Sequence, residues 1–327
     1  MATFNGGTPT GHAGQSCSAL PAELGFAAWI GGGRPERRII GGADAVADRM
    51  LRTGRFDWAC GVTALSSQLD AHERDAAQVL GCRIDRLDME TTVRRIRDAI
   101  DRREYVQHVS INAAKLIVMR DDEDLRRIVD GCGLANADGQ AVVWASRLLG
   151  DPLPARVAGV DLMFELLALA EERGYRPYIL GAAADVLEQA VERLRARHPR
   201  LDLAGWHDGY FASHQQSEVA REIRDSGADI LFVAISSPAK EEFLATYGAD
   251  LGVPFVMGVG GAVDIVAGVT RRAPETWQRL GVEWLYRLLQ EPRRMFTRYA
   301  TTNLRFIALV MRSFAARVVS RMRRARA

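Results

Sequence analysis

Two short segments hold the residues with the most chemistry in this sequence. Ser110 and Asn112 stand at the end of Tyr105–Ile111, a predicted strand, and Asp138 stands in an Asn136-Ala137-Asp138-Gly139 turn. An aspartate there can take the proton of an attacking hydroxyl and make its oxygen nucleophilic, while a serine and an asparagine beside it can hold further substrate hydroxyls. Asp-Gly is also what an ordinary turn uses, for local hydrogen bonding and positive φ, and the pattern alone favours that plainer use.

A second candidate is Gly258-Val259-Gly260-Gly261, which follows an apolar strand and precedes a short helical run through Asp264 and Ile265. Backbone amides at such a helix start suit a diphosphate, and tight packing at a strand end uses the same glycines. The dinucleotide fingerprint Gly-x-Gly-x-x-Gly is absent here and at Leu180-Gly181-Ala182. A third candidate lies at the C-terminal end. Arg298, Arg305 and Arg312 recur there at seven-residue spacing, while Phe296, Tyr299, Phe306, Val310 and Phe314 fall on another stripe, which predicts an amphipathic basic helix. Such a helix can lie on an anionic membrane surface. It can equally pack on the body or on a second subunit, so a homo-oligomer stays open. The histidines, His108 and His207 included, form no metal or triad spacing and read as structural or solvent-facing. The four cysteines, Cys17, Cys60, Cys82 and Cys132, have no metal-ligand spacing and read as reduced thiols.

The elements that must position these groups alternate between strand and helix. Val93, Ile96 and Ile100 share one helical face, and a helix is predicted from Ala113 to Val129, another through Trp144, and a third from Asp161 to about Arg173. Strands are predicted at Arg176–Gly181, Leu201–Gly205, Asp229–Ile235 and Pro254–Val259, with helices between them through Val191, Ile223 and Phe243. This alternation predicts an α/β fold, a parallel-sheet Rossmann-like core built from two α/β units plus a helical C-terminal appendage. Residues 1–80, rich in Gly, Ala and Arg with weak periodicity, read as a loosely ordered extension, 81–268 as the core, and 269–327 as the basic appendage.

With 327 residues, 48% of them hydrophobic, the chain can bury a sizeable core. Its net charge of +2 hides an asymmetry: from Arg271 onward there are 14 Arg and 3 Glu, so this end carries +11 and the rest −9. A basic end on an acidic body calls for an anionic partner. No stretch reaches the roughly 20 apolar residues of a membrane span. The segment Ser18–Ile30 carries Glu23 and lacks the basic start of a secretory signal.

Laid in order, the segments resemble the WecG/TagA/CpsF family, glycosyltransferase family 26, over roughly residues 85–300. The matching motifs are Ser-Ile-Asn-Ala at 110–113, Ala-Asp-Gly-Gln-Ala-Val-Val-Trp-Ala at 137–145, Arg-Val-Ala-Gly-Val-Asp-Leu at 156–162, Gly-Val-Gly-Gly-Ala-Val-Asp at 258–264 and Arg-Ala-Pro at 272–274. The most specific is Gly-Val-Glu-Trp-Leu-Tyr-Arg-Leu-Leu-Gln-Glu-Pro-Arg-Arg at 281–294. The resemblance implies an inverting transferase without metal or other cofactor. The donor would be a UDP-sugar (N-acetylmannosamine-type, its uronic acid, or glucose) and the acceptor a polyprenyl-diphosphate-linked sugar of cell-surface polysaccharide assembly. It further implies a cytoplasmic protein, peripheral on the inner face of the membrane. Carried over by motif, Asp138 becomes the catalytic base, and Ser110, Asn112 and Arg156 become pocket residues. Arg287, Arg293 and Arg294 become candidates for the acceptor diphosphate, with Arg298 and Arg305 beside them at the membrane; guanidinium suits phosphate because its fork pairs bidentately. Gly258, Gly260 and Gly261 stay assigned to the donor. Lys240 is a departure, because the family usually has Gln there, and its cation can pair with a donor carboxylate or phosphate or simply be tolerated at a helix start. Ser110 likewise stands where Thr is common.

Two other classes fit less well. A nucleotide-dependent oxidoreductase needs the missing glycine fingerprint and a ribose-binding acid. A nucleic-acid-binding module would use the basic tail but leaves Asp138, Asn112 and the glycine loop unexplained, so no nucleic-acid partner is expected.

Overall fold

The computed structural model describes residues 75–274, 276–277, 283–290 and 292–326. For Trp284, Arg287, Gln290, 292–301 and 325–326 it describes the backbone alone. Strands β1 (Ala76–Val79) and β2 (Cys82–Asp85) form an antiparallel hairpin. Six further strands, β3 (Val106–Ile111), β4 (Leu134–Ala137), β5 (Pro177–Gly181), β6 (Gly205–His207), β7 (Ile230–Ala234) and β8 (Phe255–Gly258), make one parallel sheet in the order β4-β3-β8-β7-β5-β6. The helices in chain order are α1 (Met89–Asp101), α2 (Ala113–Asp121), α3 (Glu123–Asp130), α4 (Gln140–Leu148), α5 (Gly159–Arg173), α6 (Ala184–Arg197), α7 (Gln216–Asp225), α8 (Ala239–Tyr247), α9 (Ala262–Val266), α10 (Glu283–Gln290) and α11 (Pro292–Arg326).

Near-continuous apolar strands are what a sheet covered on both faces requires. Ile179, Ile230, Phe232, Phe255 and Met257 point to a core shared with Ile96 of α1, Leu162 and Leu166 of α5 and Leu187 of α6. Their alternates Leu180, Leu231, Val233 and Val256 pack with Val219 and Ile223 of α7 and Phe243 of α8. Val109, Ile111 and Ala135 join Leu116, Leu125 and the hairpin residues Ala77, Val79 and Ile84. The hairpin protects the edge of the sheet, where the buried carboxylate of Asp85 accepts the Ala135 amide at 2.8 Å.

The α/β class, the parallel sheet and the helical end match expectation, and four details differ. The first described strand begins at Ala76, inside the segment read as extension, and buries Ala77 and Val79 completely. The single helix expected from Ala113 to Val129 is two, because Asp122 leaves helical backbone and its carboxylate accepts the Leu125 amide at 2.9 Å, capping α3. The residues Asn136-Ala137, expected in a turn, belong to β4, buried along its length and paired with Ser110-Ile111. The strand expected at Leu201–Gly205 lies at Gly205–His207, where Gly205 faces Tyr178 so closely that a Cβ would come within 2.6 Å of the ring.

Candidate active site

Parallel α/β sheets present ligand-binding loops beyond the carboxyl ends of their strands. Here the ends of β3, β4 and β8, three neighbours in the sheet, carry Ser110 and Asn112, Asp138, and Gly258 respectively. The pairing of Ile111 with Ala137 puts Asp138 one step beyond the ladder, and its amide still donates to the Ile111 carbonyl at 2.9 Å. Oδ1 of Asp138 accepts the Gly159 amide, the first residue of α5, at 3.0 Å. That contact draws the helix start onto the acid, and Gly159 suits the place because an added Cβ would lie 3.0 Å from Ser110 Oγ. Ser110 Oγ is itself buried with no hydrogen-bond partner among the described residues. An orphaned hydroxyl beside an acid calls for a polar ligand. Asn112 begins α2 and spends its Oδ1 on the Lys115 amide at 2.9 Å, while an added Cβ on Gly139 would sit 3.7 Å from its Cβ. Ser110, Asn112, Asp138 and Gly159 therefore form one cluster.

Below it, His108 is buried, its Nε2 lying 3.0 Å from Asn136 Oδ1, and Asn136 Nδ2 donates to Thr92 Oγ1 at 3.2 Å. Burial pushes the imidazole down to about 4, against the hydrogen bond to Asn136, so the ring is neutral near pH 7. This agrees with a structural reading of His108: it holds the floor of the site together.

On the β8 side, the Lys240 side chain lies over Gly258, with Cδ, Cε and Nζ each 2.8 Å from where a Cβ would stand. Gly260 adopts φ +51°, and Gly261 faces its own helix residue Asp264, whose Oδ2 would lie 3.4 Å from an added Cβ. The glycine loop thus has an ammonium at one end and a carboxylate at the other. Helix α9, only five residues long, adds little dipole of its own.

Arg156 is drawn toward the C-terminal segment. It forms ion pairs with Glu283 of α10 at 3.2 Å and with Asp161 of α5 at 3.9 Å, and Arg272 also pairs with Asp161. Two salt bridges, both partly shielded from solvent, therefore hold Arg272 and Glu283 beside Arg156 and Asp161. Arg287 lies on α10 and Arg293, Arg294 and Arg298 on α11, and the expectations for their side chains fall outside the described residues. Arg305 reaches Asp121 of α2 at 2.8 Å. Phe306 and Val310 are buried against the same core, so part of the predicted apolar stripe packs on the body. A separate recess of about 280 Å³ beside the far edge strand β6, lined by Glu188, Val191, Glu192, Arg195 and Trp206, gathers none of these groups. Among the described residues no cluster of three or more His, Cys, Asp or Glu could hold a metal ion.

Sequence reasoning missed Gly159, Lys115, Glu241 and Glu283 as neighbours of the site. Gly159 and Glu283 lie within quoted motifs, whereas the pairing of Lys115 with Glu241 had no signal in the sequence.

A parallel sheet that gathers an acid, a hydroxyl and an amide at adjoining strand ends, with a helical C-terminal segment tied to Arg156 through Glu283, is consistent with a Rossmann-like glycosyltransferase. A family model, that of the glycosyl transferase WecG/TagA/CpsF family, matches residues 77–319, well over half of the chain, and the chain belongs to that family.

Proposed function

We propose that the protein moves a sugar from a UDP-sugar to a polyprenyl-diphosphate-linked sugar in cell-surface polysaccharide assembly, with inversion and with arginine in place of a metal at the leaving group. The observation that carries this reading is the cluster of Asp138, Ser110 and Asn112 at the ends of β3 and β4, in a chain of this family. Asp138 is the base: its carboxylate takes the acceptor hydroxyl proton as that oxygen attacks the anomeric carbon from the face opposite the diphosphate. The bond from the anomeric carbon to the phosphate oxygen breaks, and UDP leaves with the electron pair. Gly159 fixes the carboxylate through its amide, and Ser110 offers its orphaned hydroxyl to the sugar. Arg156, Arg287, Arg293 and Arg294 are the candidate cations for diphosphate charge.

The acceptor would be presented from a membrane surface. No helix among the described residues is long and apolar enough to cross a membrane. On α11, however, Leu304, Ile307, Met311, Val318 and Met322 are exposed at helical spacing on a stripe distinct from buried Phe306 and Val310. Arginines accompany that stripe, which suits the headgroup region of an anionic bilayer.

Release of UDP from a panel of UDP-sugars, with a short-chain prenyl-diphosphate sugar acceptor and EDTA present, tests the reading. Acceptor-dependent release that is lost in Asp138→Ala and in a chain truncated before Arg271 is the expected result. Full activity in Asp138→Ala would remove the base assignment, and activity that requires a divalent cation would remove the metal-independent route.

A further inference from the structure

Three charged side chains that the transfer step above leaves unused meet where α2 and α8 close over the end of β8. Oε1 of Glu241 accepts from Lys115 Nζ at 2.9 Å and lies 3.2 Å from Lys240 Nζ. The three side chains are 4%, 14% and 15% exposed, so one shielded carboxylate serves two ammonium groups with a narrow opening to solvent. Two other titratable groups that feel these charges, His108 and Cys132, do not restore neutrality. Burial holds the His108 imidazole down to about 4 and the Cys132 thiol up to about 12, so both are uncharged near pH 7. With both lysines protonated the cluster carries one positive charge more than it can neutralise. Burial and the Lys115 charge both work against the Lys240 ammonium, and Glu241 works for it. An unbalanced buried charge is costly unless a counter-charge arrives.

Position says where that counter-charge sits. Lys240 lies on the backbone of Gly258, the first glycine of the loop and the neighbour of β3 in the sheet, and the amide of Lys115 is held by Asn112 of the acid cluster. Asp264 stands at the Gly261 end of the same loop, which leaves the Gly258 end for an anion.

We propose that Lys240, steadied by Glu241 and backed by Lys115, receives an oxyanion of the sugar donor and so sets which donors are accepted. This rests on the nucleotide-sugar reading above. The oxyanion is a carboxylate of an acidic sugar or a phosphate of the nucleotide, since either offers the acceptor oxygens an ammonium needs. Glu241 engages only part of the ammonium, whose three N–H donors leave capacity for such a ligand. Close packing against Gly258 limits where the stem can swing.

Equilibrium binding to the full chain, measured by calorimetry, separates the sources. The probes are UDP, UDP-N-acetylglucosamine and UDP-glucuronic acid. Lys240→Gln is expected to weaken binding about tenfold or more, and Lys240→Arg, which keeps the charge, to recover most of it. A loss shared by all three probes identifies a phosphate, and a loss confined to UDP-glucuronic acid identifies a sugar carboxylate. If the wild type binds and Lys240→Gln binds every probe equally well, the inference is overturned while the transferase reading stands. If the wild type binds none of the three, the nucleotide-sugar reading falls and takes the inference with it. Lys240→Met, similar in length and uncharged, replaces the glutamine variant if that variant does not fold, with the same outcomes.

Discussion

Asp138 both accepts the Gly159 amide at 3.0 Å and is the proposed base, and one substitution separates the two roles. Asn at this position keeps a carbonyl oxygen for the amide but cannot take a proton. Asp138→Asn should therefore fold and melt close to the wild type while turnover falls by about 10²- to 10⁴-fold, the usual contribution of a general base. Thermal unfolding and UDP release, measured on the same preparation, check both halves. Beneath it, His108 makes a prediction about stability. The unfolded chain binds a proton near the ordinary value of 6.5, whereas the folded chain resists it until about 4. Stability is therefore full above pH 6.5 and is lost as pH falls through that window, by about 3 kcal/mol at its full extent. Glu241 has its own, lower window. Although burial pushes it up, Lys240 and Lys115 hold it down to about 2 from an ordinary 4.5, so its contribution disappears only between those values. Tm followed against pH should show the upper loss in the wild type and not in His108→Gln, whose amide can still donate to Asn136.

Among the elements, β5 and β7 approach closely at Gly181. Gly181 has φ +123°, and an added Cβ would lie 2.5 Å from the Ala234 carbonyl carbon, so neither strand can give way without breaking the ladder. Gly181→Ala should cost about 3 kcal/mol or more, from backbone strain and overpacking together, and denaturant titration would measure it. This constraint was invisible in the sequence, where Leu180-Gly181-Ala182 shows only that the dinucleotide fingerprint is missing. Strands β5, β7 and β8 were legible because an unbroken apolar run between helical patterns has one common use. Strand β4 was not, since Asn136 and the following Asp-Gly look like a turn until His108 and Thr92 are seen to meet the Asn136 side chain and Asp85 to accept the Ala135 amide. The same division holds at the site. Ser110 and Asn112 could be placed in advance because they stand at the end of a legible strand, whereas Asp138 read as a turn residue and joined them as a base only through the motifs of the family. Lys115 and Glu241, 126 residues apart, meet only because α2 and α8 lie beside each other over β8, a consequence of strand order that no local pattern encodes.

For the molecule as a whole, α11 has two apolar faces with different duties. Phe306 and Val310 are buried in the core with α2, while Leu304, Ile307 and Met311 are 68%, 56% and 52% exposed. If the helix served only to complete the fold, changing the exposed three would matter little. If it also seats the protein on a bilayer, each removes apolar area that the headgroup boundary would cover, worth up to about 1.5–3 kcal/mol per side chain when fully buried. Replacing Leu304, Ile307 and Met311 together by Ser should leave Tm nearly unchanged and weaken co-sedimentation with anionic vesicles by roughly a hundredfold, since about 2.7 kcal/mol, well under the full burial of three such side chains, is enough. Phe306→Ala should do the opposite, costing about 3–5 kcal/mol of stability through the cavity it leaves. Because Arg305, Arg312 and Arg321 accompany the exposed stripe, binding of the wild type should also fall as salt rises past the Debye length that lets them feel the surface. Vesicle binding unaffected by the triple change, at low salt and with the fold intact, would assign the exposed stripe to a second subunit, and sedimentation of the free protein would then show the dimer.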